Sequence, residues 1–251
     1  MVLTVLTSFA GAQIFGESYG TGTPFVLALH GWGRDHRDFA TTLTRPEPAV
    51  PSIAVDLPGF GGTPAPEMVW GSREYAEALV PVLAEMADQV IVVGHSFGGK
   101  VGVHLAAIAP QNVAGLVFTG VPLFRAAPPQ RPPLRFRAVR RLAKSGLVSD
   151  DRLEKHRQKY GSADYRAASG VVRDILVKVL SEDYAEPLSQ VKCPVELVWG
   201  DNDTAAPLVV AERIRDALPN GAHLVVCPGA GHLTPMSVPN ELRAAIERLR
   251  S

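Results

Sequence analysis

Six short aliphatic runs restrict the possible folds of this chain more than any other feature. Phe25–Leu29, Ser52–Val55, Val90–Val93, Val113–Phe118, Val195–Trp199 and His223–Val226 carry no regular alternation of apolar and polar residues. A strand with one wet face would alternate, so these runs read as strands buried on both faces. Helical patterns separate them. Glu74–Met86 places Tyr75, Leu79, Val82, Leu83 and Met86 on one stripe, and Phe97–Ala109 stops at Pro110. Leu208–Leu218 and Asn240–Leu249 follow the same rule. Two further β-rich stretches, around Val2–Ser8 and Ala12–Glu17, open the chain. The pattern predicts an α/β fold with a mostly parallel, twisted sheet flanked by helices.

One stretch breaks the alternation. Between Leu123 and Glu186 there is no convincing strand, only proline-rich sequence and helical segments near Leu134–Lys144, Asp151–Tyr160 and Tyr165–Leu180. That length exceeds a plain connection, so residues 123–186 are expected to form a helical lid inserted in a core of residues 1–122 and 187–251. The lid is basic. It holds 14 Lys or Arg against 8 Asp or Glu, a net of +6, and the rest must carry −6 because the 251-residue chain is neutral. Arg125, Arg131, Arg135, Arg137, Arg140, Arg141 and Lys144 run without an acidic residue among them. They read as a solvated face or as steering for an anionic small-molecule substrate.

The chemistry is concentrated at Gly94-His95-Ser96-Phe97-Gly98-Gly99, between one buried run and the helix that follows it. A serine on a tight strand-to-helix turn needs neighbours without bulk, and Gly94 and Gly98 supply that room. The turn presents the hydroxyl at a helix N-terminus, where backbone N–H groups favour developing negative charge. Ser96 is therefore the candidate nucleophile.

In this context the chain resembles the α/β-hydrolase family, over roughly residues 24–122 and 188–251, and within it small esterases and meta-cleavage-product hydrolases. The resemblance implies an oxyanion hole formed by the backbone N–H groups of Trp32, in Leu29-His30-Gly31-Trp32-Gly33, and of Phe97. It also implies the order nucleophile, acid, histidine. Two aspartates compete in Trp199-Gly200-Asp201-Asn202-Asp203, and the family spacing selects Asp203, leaving Asp201 as a turn former. His232, in Pro228-Gly229-Ala230-Gly231-His232, resembles the family's histidine loop. His30 is expected near the pocket mouth as a substrate-binding residue, and His95 is expected to point away from Ser96. His36, His104, His156 and His223 read as surface or packing residues. Asp56-Leu57-Pro58-Gly59-Phe60-Gly61-Gly62 resembles the loop after the fourth strand, with Asp56 structural.

The implied reaction is acyl transfer to Ser96 and hydrolysis of the acyl-enzyme by water activated by His232. Because the histidine must be neutral to accept a proton, activity is expected to fall below about pH 6–7. A carboxylic ester of small or medium size is the expected substrate. Carbon–carbon cleavage of a ring-opened diketone acid and slow-turnover ligand reception are the alternatives. Dehalogenase and epoxide-hydrolase relatives carry aspartate at the elbow, so Ser96 argues against both.

No cofactor or metal is expected, since no H-x-x-x-H or C-x-x-C occurs and Gly99-Lys100 lacks the following Ser or Thr of a phosphate loop. Zero net charge offers no signal for nucleic acid, and no apolar run reaches the ~18 residues a membrane span needs. Two cysteines, Cys193 and Cys227, do not make a disulfide scaffold, and a cytoplasmic home is expected.

Overall fold

The computed structural model describes residues 6–125 and 162–250. Eight strands form one sheet: β1 (Thr7–Phe9), β2 (Ile14–Tyr19), β3 (Val26–Leu29), β4 (Ser52–Asp56), β5 (Val90–His95), β6 (Val113–Thr119), β7 (Val195–Gly200) and β8 (His223–Cys227). Their order is β1-β2-β4-β3-β5-β6-β7-β8. β2 is antiparallel to both β1 and β4, and every later pairing is parallel. The chain turns one way from β3 to β4 and the other way to β5. The crevice beyond the carboxyl ends of β3 and β5 is thus the switch point where such sheets bind ligands.

The aliphatic runs have a simple explanation in two cores. Leu27 and Leu29 face one side with Val90, Val92, Leu116, Phe118, Leu197 and Trp199, against helices α2 (Ser72–Leu83), α3 (Phe97–Ile108) and, further along the chain, Leu208–Ala217. Val26 and Ala28 face the other side with Ala54, Ile91, Val93, Val117 and Val198, against α1 (Ala40–Thr44) and the last helix, Pro239–Arg250. Successive side chains point to opposite faces, so a sheet covered on both sides must be apolar at every position. Truncating a residue such as Leu79 of α2, wholly buried in the first of these cores, would cost about 2–5 kcal/mol.

Two expectations need correction. His223–Val226 is not buried on both faces: β8 is the sheet edge, and Val226 is 40% exposed. The predicted helix Tyr165–Leu180 is two helices, α4 (Ala163–Ala167) and α5 (Gly170–Val179). Ala168 and Ser169 between them are extended, and Gly170 takes φ +52°, a left-handed conformation that glycine adopts without steric cost. After α5 come α6 (Ala185–Ser189), α7 (Leu208–Ala217), α8 (Thr234–Ser237) and α9 (Pro239–Arg250). The predicted lid helices Leu134–Lys144 and Asp151–Tyr160, and all of the basic run except Arg125, lie outside the described residues. Among the described residues, no helix is long and apolar enough to cross a membrane.

Candidate active site

Ser96 joins β5 to α3 with φ +48° and ψ −110°. A non-glycine residue held there costs of the order of 1–3 kcal/mol, which the surroundings must offset. Its N–H donates to the Thr119 carbonyl at 3.0 Å, tying the turn to β6. The flanking glycines are required by close approach. A Cβ on Gly94 would lie 2.5 Å from the Gly99 Cα, and one on Gly98 would strike the Leu29 carbonyl oxygen.

The loops after β7 and β8 bring two more groups to this turn. His232 Nε2 is 3.2 Å from Ser96 Oγ, and His232 Nδ1 is 2.8 Å from Asp203 Oδ2. The other Asp203 oxygen, Oδ1, accepts the N–H groups of Ala205 and Ala206 at 2.9 and 2.8 Å. Burial pushes this carboxyl up, but the hydrogen bonds from His232 and the two amides outweigh it and hold it below the usual carboxylate range. An ionised Asp203 accepts the Nδ1 proton, which leaves the Nε2 lone pair toward the serine. Asp201 is exposed and accepts the Gly229 N–H at 2.7 Å. Of the two competing aspartates, only Asp203 bonds the histidine.

The turn after β3 lies beside the serine. A Cβ on Gly31 would be 3.4 Å from Ser96 Cβ, and the Trp32 and Phe97 rings meet edge to face at 5.2 Å. No acceptor among the described residues takes the Trp32 or Phe97 N–H. A cavity of about 470 Å³ opens here, bordered by Trp32, Ser96, Phe97, His232, Leu176 and Val179 among others.

His30 is not at the mouth of this cavity. It is wholly buried, with Nδ1 2.7 Å from the Gly31 carbonyl and Nε2 accepting the Leu57 N–H at 2.9 Å. Burial lowers its pKa and keeps the ring neutral, as those two bonds require. It ties the turn after β3 to the loop after β4. Asp56 is structural as expected, accepting from Gly62 N–H, His36 N–H and the His36 ring.

Sequence reasoning missed several groups. Gly120, at φ +58°, leaves the space beside the His232–Asp203 pair: a Cβ there would be 3.0 Å from Nδ1. The Thr119 hydroxyl donates to the Val198 carbonyl at 2.6 Å and meets the Thr234 hydroxyl at 2.5 Å, fixing the start of α8 behind His232. His95 is buried and donates from Nε2 to the His232 carbonyl at 2.9 Å, while burial pushes its pKa down to about 4. Lys100, 5% exposed, borders the cavity. Gly120 is marked in the sequence as a glycine immediately after a buried strand, whereas His95 and Lys100 stand out there only as neighbours of Ser96, without a sign of these contacts.

The model of the alpha/beta hydrolase family matches residues 26–245. The chain belongs to this family, and it is a hydrolase. A pimeloyl-[acyl-carrier protein] methyl ester esterase of Aromatoleum aromaticum is 30% identical over 251 residues, covering 89% of this chain and 97% of the relative. A biotin biosynthesis bifunctional protein of Cellvibrio japonicus is 25% identical over 89% of this chain, which spans about half, 47%, of that longer protein. Among solved structures, a thermophilic esterase from Thermogutta terrifontis superposes with a TM-score of 0.66 at 24% identity, covering 99% of this chain and 98% of the esterase. That likeness speaks for the α/β-hydrolase fold alone.

Proposed function

We propose that this α/β hydrolase is a carboxylic-ester hydrolase working through an acyl-enzyme on Ser96. The observation that carries the reading is the continuous line from Asp203 Oδ2 through His232 to Ser96 Oγ, at 2.8 and 3.2 Å. Ser96 Oγ attacks the ester carbonyl while its proton passes to His232 Nε2. The imidazolium is stabilised by Asp203, which stays ionised. The oxyanion is received by the N–H groups of Trp32 and Phe97. Donors of this kind contribute about 3–4 kcal/mol to the transition state. Collapse expels the alcohol, which takes the proton back from His232. Water then enters, gives a proton to His232, attacks the acyl carbon and releases the carboxylic acid and free Ser96.

The ester class is supported by the similarity to the methyl ester esterase over nearly its whole length. The test is the initial rate on 4-nitrophenyl acetate, butyrate and octanoate. Ser96→Ala is expected to lower turnover by about 10³-fold or more with an unchanged melting temperature. Turnover of these esters that survives in Ser96→Ala, or faster cleavage of a vinylogous diketone acid than of any ester, contradicts the proposal.

A further inference from the structure

Among the described residues, three charged side chains border the cavity besides the two histidines, and they are not alike. Arg34 is committed to Asp38, which accepts from its Nε at 2.8 Å and from its Nη2 at 2.5 Å. Asp164 is exposed to solvent. Lys100 is the exception. It stands four residues beyond Ser96, one turn along α3, where side chains share a face. The residue is buried, and among the described residues no carboxylate forms an ion pair with it. What surrounds it is the Val179 carbonyl at the end of α5, at 3.4 Å, and the Tyr184 ring, 5.2 Å away.

Among the described residues, Glu182 is the acidic group that acts electrostatically on Lys100, but its carboxylate is already taken up. It accepts from the Ser72 N–H, the Ser72 hydroxyl and the Tyr184 hydroxyl. An ammonium has three donors, and here one meets a long contact to a carbonyl. Taking a charge out of water without a counter-ion is costly, so this site is poor for stability alone. Burial lowers the Lys100 pKa to about 8, which still leaves it largely protonated at neutral pH. A desolvated cation on the wall of a pocket interacts with an incoming anion far more strongly than an exposed one does.

We infer that Lys100 is a specificity residue, binding a carboxylate at the far end of the substrate, so that the preferred ester carries a free acid on its acyl chain. This rests on the ester reading of Ser96 and narrows it to half-esters of dicarboxylic acids. The Val179 contact orients the amine, and Leu176 and Val179 border the same cavity. A chain that is apolar in its middle and anionic at its tip matches those walls.

The test compares mono-4-nitrophenyl glutarate with 4-nitrophenyl pentanoate, which have acyl chains of the same length. Lys100→Met is expected to lower kcat/KM for the glutarate ester by about tenfold to a hundredfold, the range expected for losing one charge-assisted contact. The pentanoate ester should change by less than about threefold, and Lys100→Arg should keep most of the preference. The melting temperature of Lys100→Met should stay level or rise, because a buried charge is removed. A glutarate-to-pentanoate ratio that is the same in wild type and Lys100→Met overturns the inference. So does an equal fall for both esters.

A second measurement needs no variant. Glutarate should inhibit wild-type pentanoate hydrolysis at least about tenfold more strongly than uncharged glutaramide. Equal inhibition overturns the inference. If Ser96→Ala still hydrolyses both esters, the ester reading itself fails. If Ser96 dependence holds while the ratio does not move, only the role of Lys100 fails.

Discussion

Two aspartate–histidine pairs in this molecule have nearly the same geometry and different third partners. At the end of β4, Asp56 Oδ1 lies 2.7 Å from His36 Nδ1; after β7, Asp203 Oδ2 lies 2.8 Å from His232 Nδ1. Both carboxylates are buried and both are held below the usual carboxylate range, with hydrogen bonds outweighing the upward push of burial. The difference lies at the other ring nitrogen. His36 Nε2 faces the Glu17 carboxylate at 3.8 Å, so the ring is clamped between two anions, and the Asp56 hydrogen bond raises its pKa. His232 Nε2 faces the hydroxyl of a serine with a strained backbone. On the proposed mechanism, a carboxylate–imidazole pair is a structural clip or part of a catalytic relay according to what stands third in line.

The largest effect that would sharpen this contrast comes from removing the charge of each carboxylate in turn. Asp203→Asn is expected to lower kcat for a 4-nitrophenyl ester by about 10⁴-fold, because the amide favours the wrong tautomer of its histidine. Asp56→Asn should change kcat by only a few-fold while lowering the unfolding free energy, since Asp56 anchors the loop after β4. Comparable losses of kcat in the two variants would break the distinction.

The smaller effect concerns pH and stability. His36 has a raised folded pKa, so its contribution is full below its unfolded value of 6.5 and is lost as pH rises through the folded one. Asp56 has a depressed folded pKa, so its share is full above 3.8 and is lost as pH falls below that. The clip thus stabilises most between those limits. His36→Gln should cost about 1 kcal/mol in urea unfolding near pH 5.5 and clearly less near pH 9. A cost that grows toward pH 9 would show that the ring is not held as a cation.

Reading the sequence went furthest where a requirement is local. The elbow was legible because Gly94 and Gly98 are demanded by backbone contacts within a few residues of Ser96 and at the adjoining end of β3. The sheet was legible because burial on both faces leaves every position apolar, but the same apolarity hid that β8 is an edge. Asp203 and Asp201 were separated by family spacing, not by their own chemistry; the deciding contacts, His232 for one and Gly229 for the other, come from more than twenty-five residues away. His30 was misplaced because its position beside a glycine turn says nothing of the Leu57 N–H that draws it inward. Lys100 drew no attention as a ligand-binding residue, since its burial depends on where α5 and Tyr184 pack against α3.

The most direct test of the central claim is covalent labelling with a fluorophosphonate, followed by peptide mass analysis. The account predicts one adduct, on Ser96, and no adduct in Ser96→Ala or after prior incubation with a slowly hydrolysed ester. Labelling confined to another residue, or full ester hydrolysis by protein that is stoichiometrically blocked at Ser96, would contradict it.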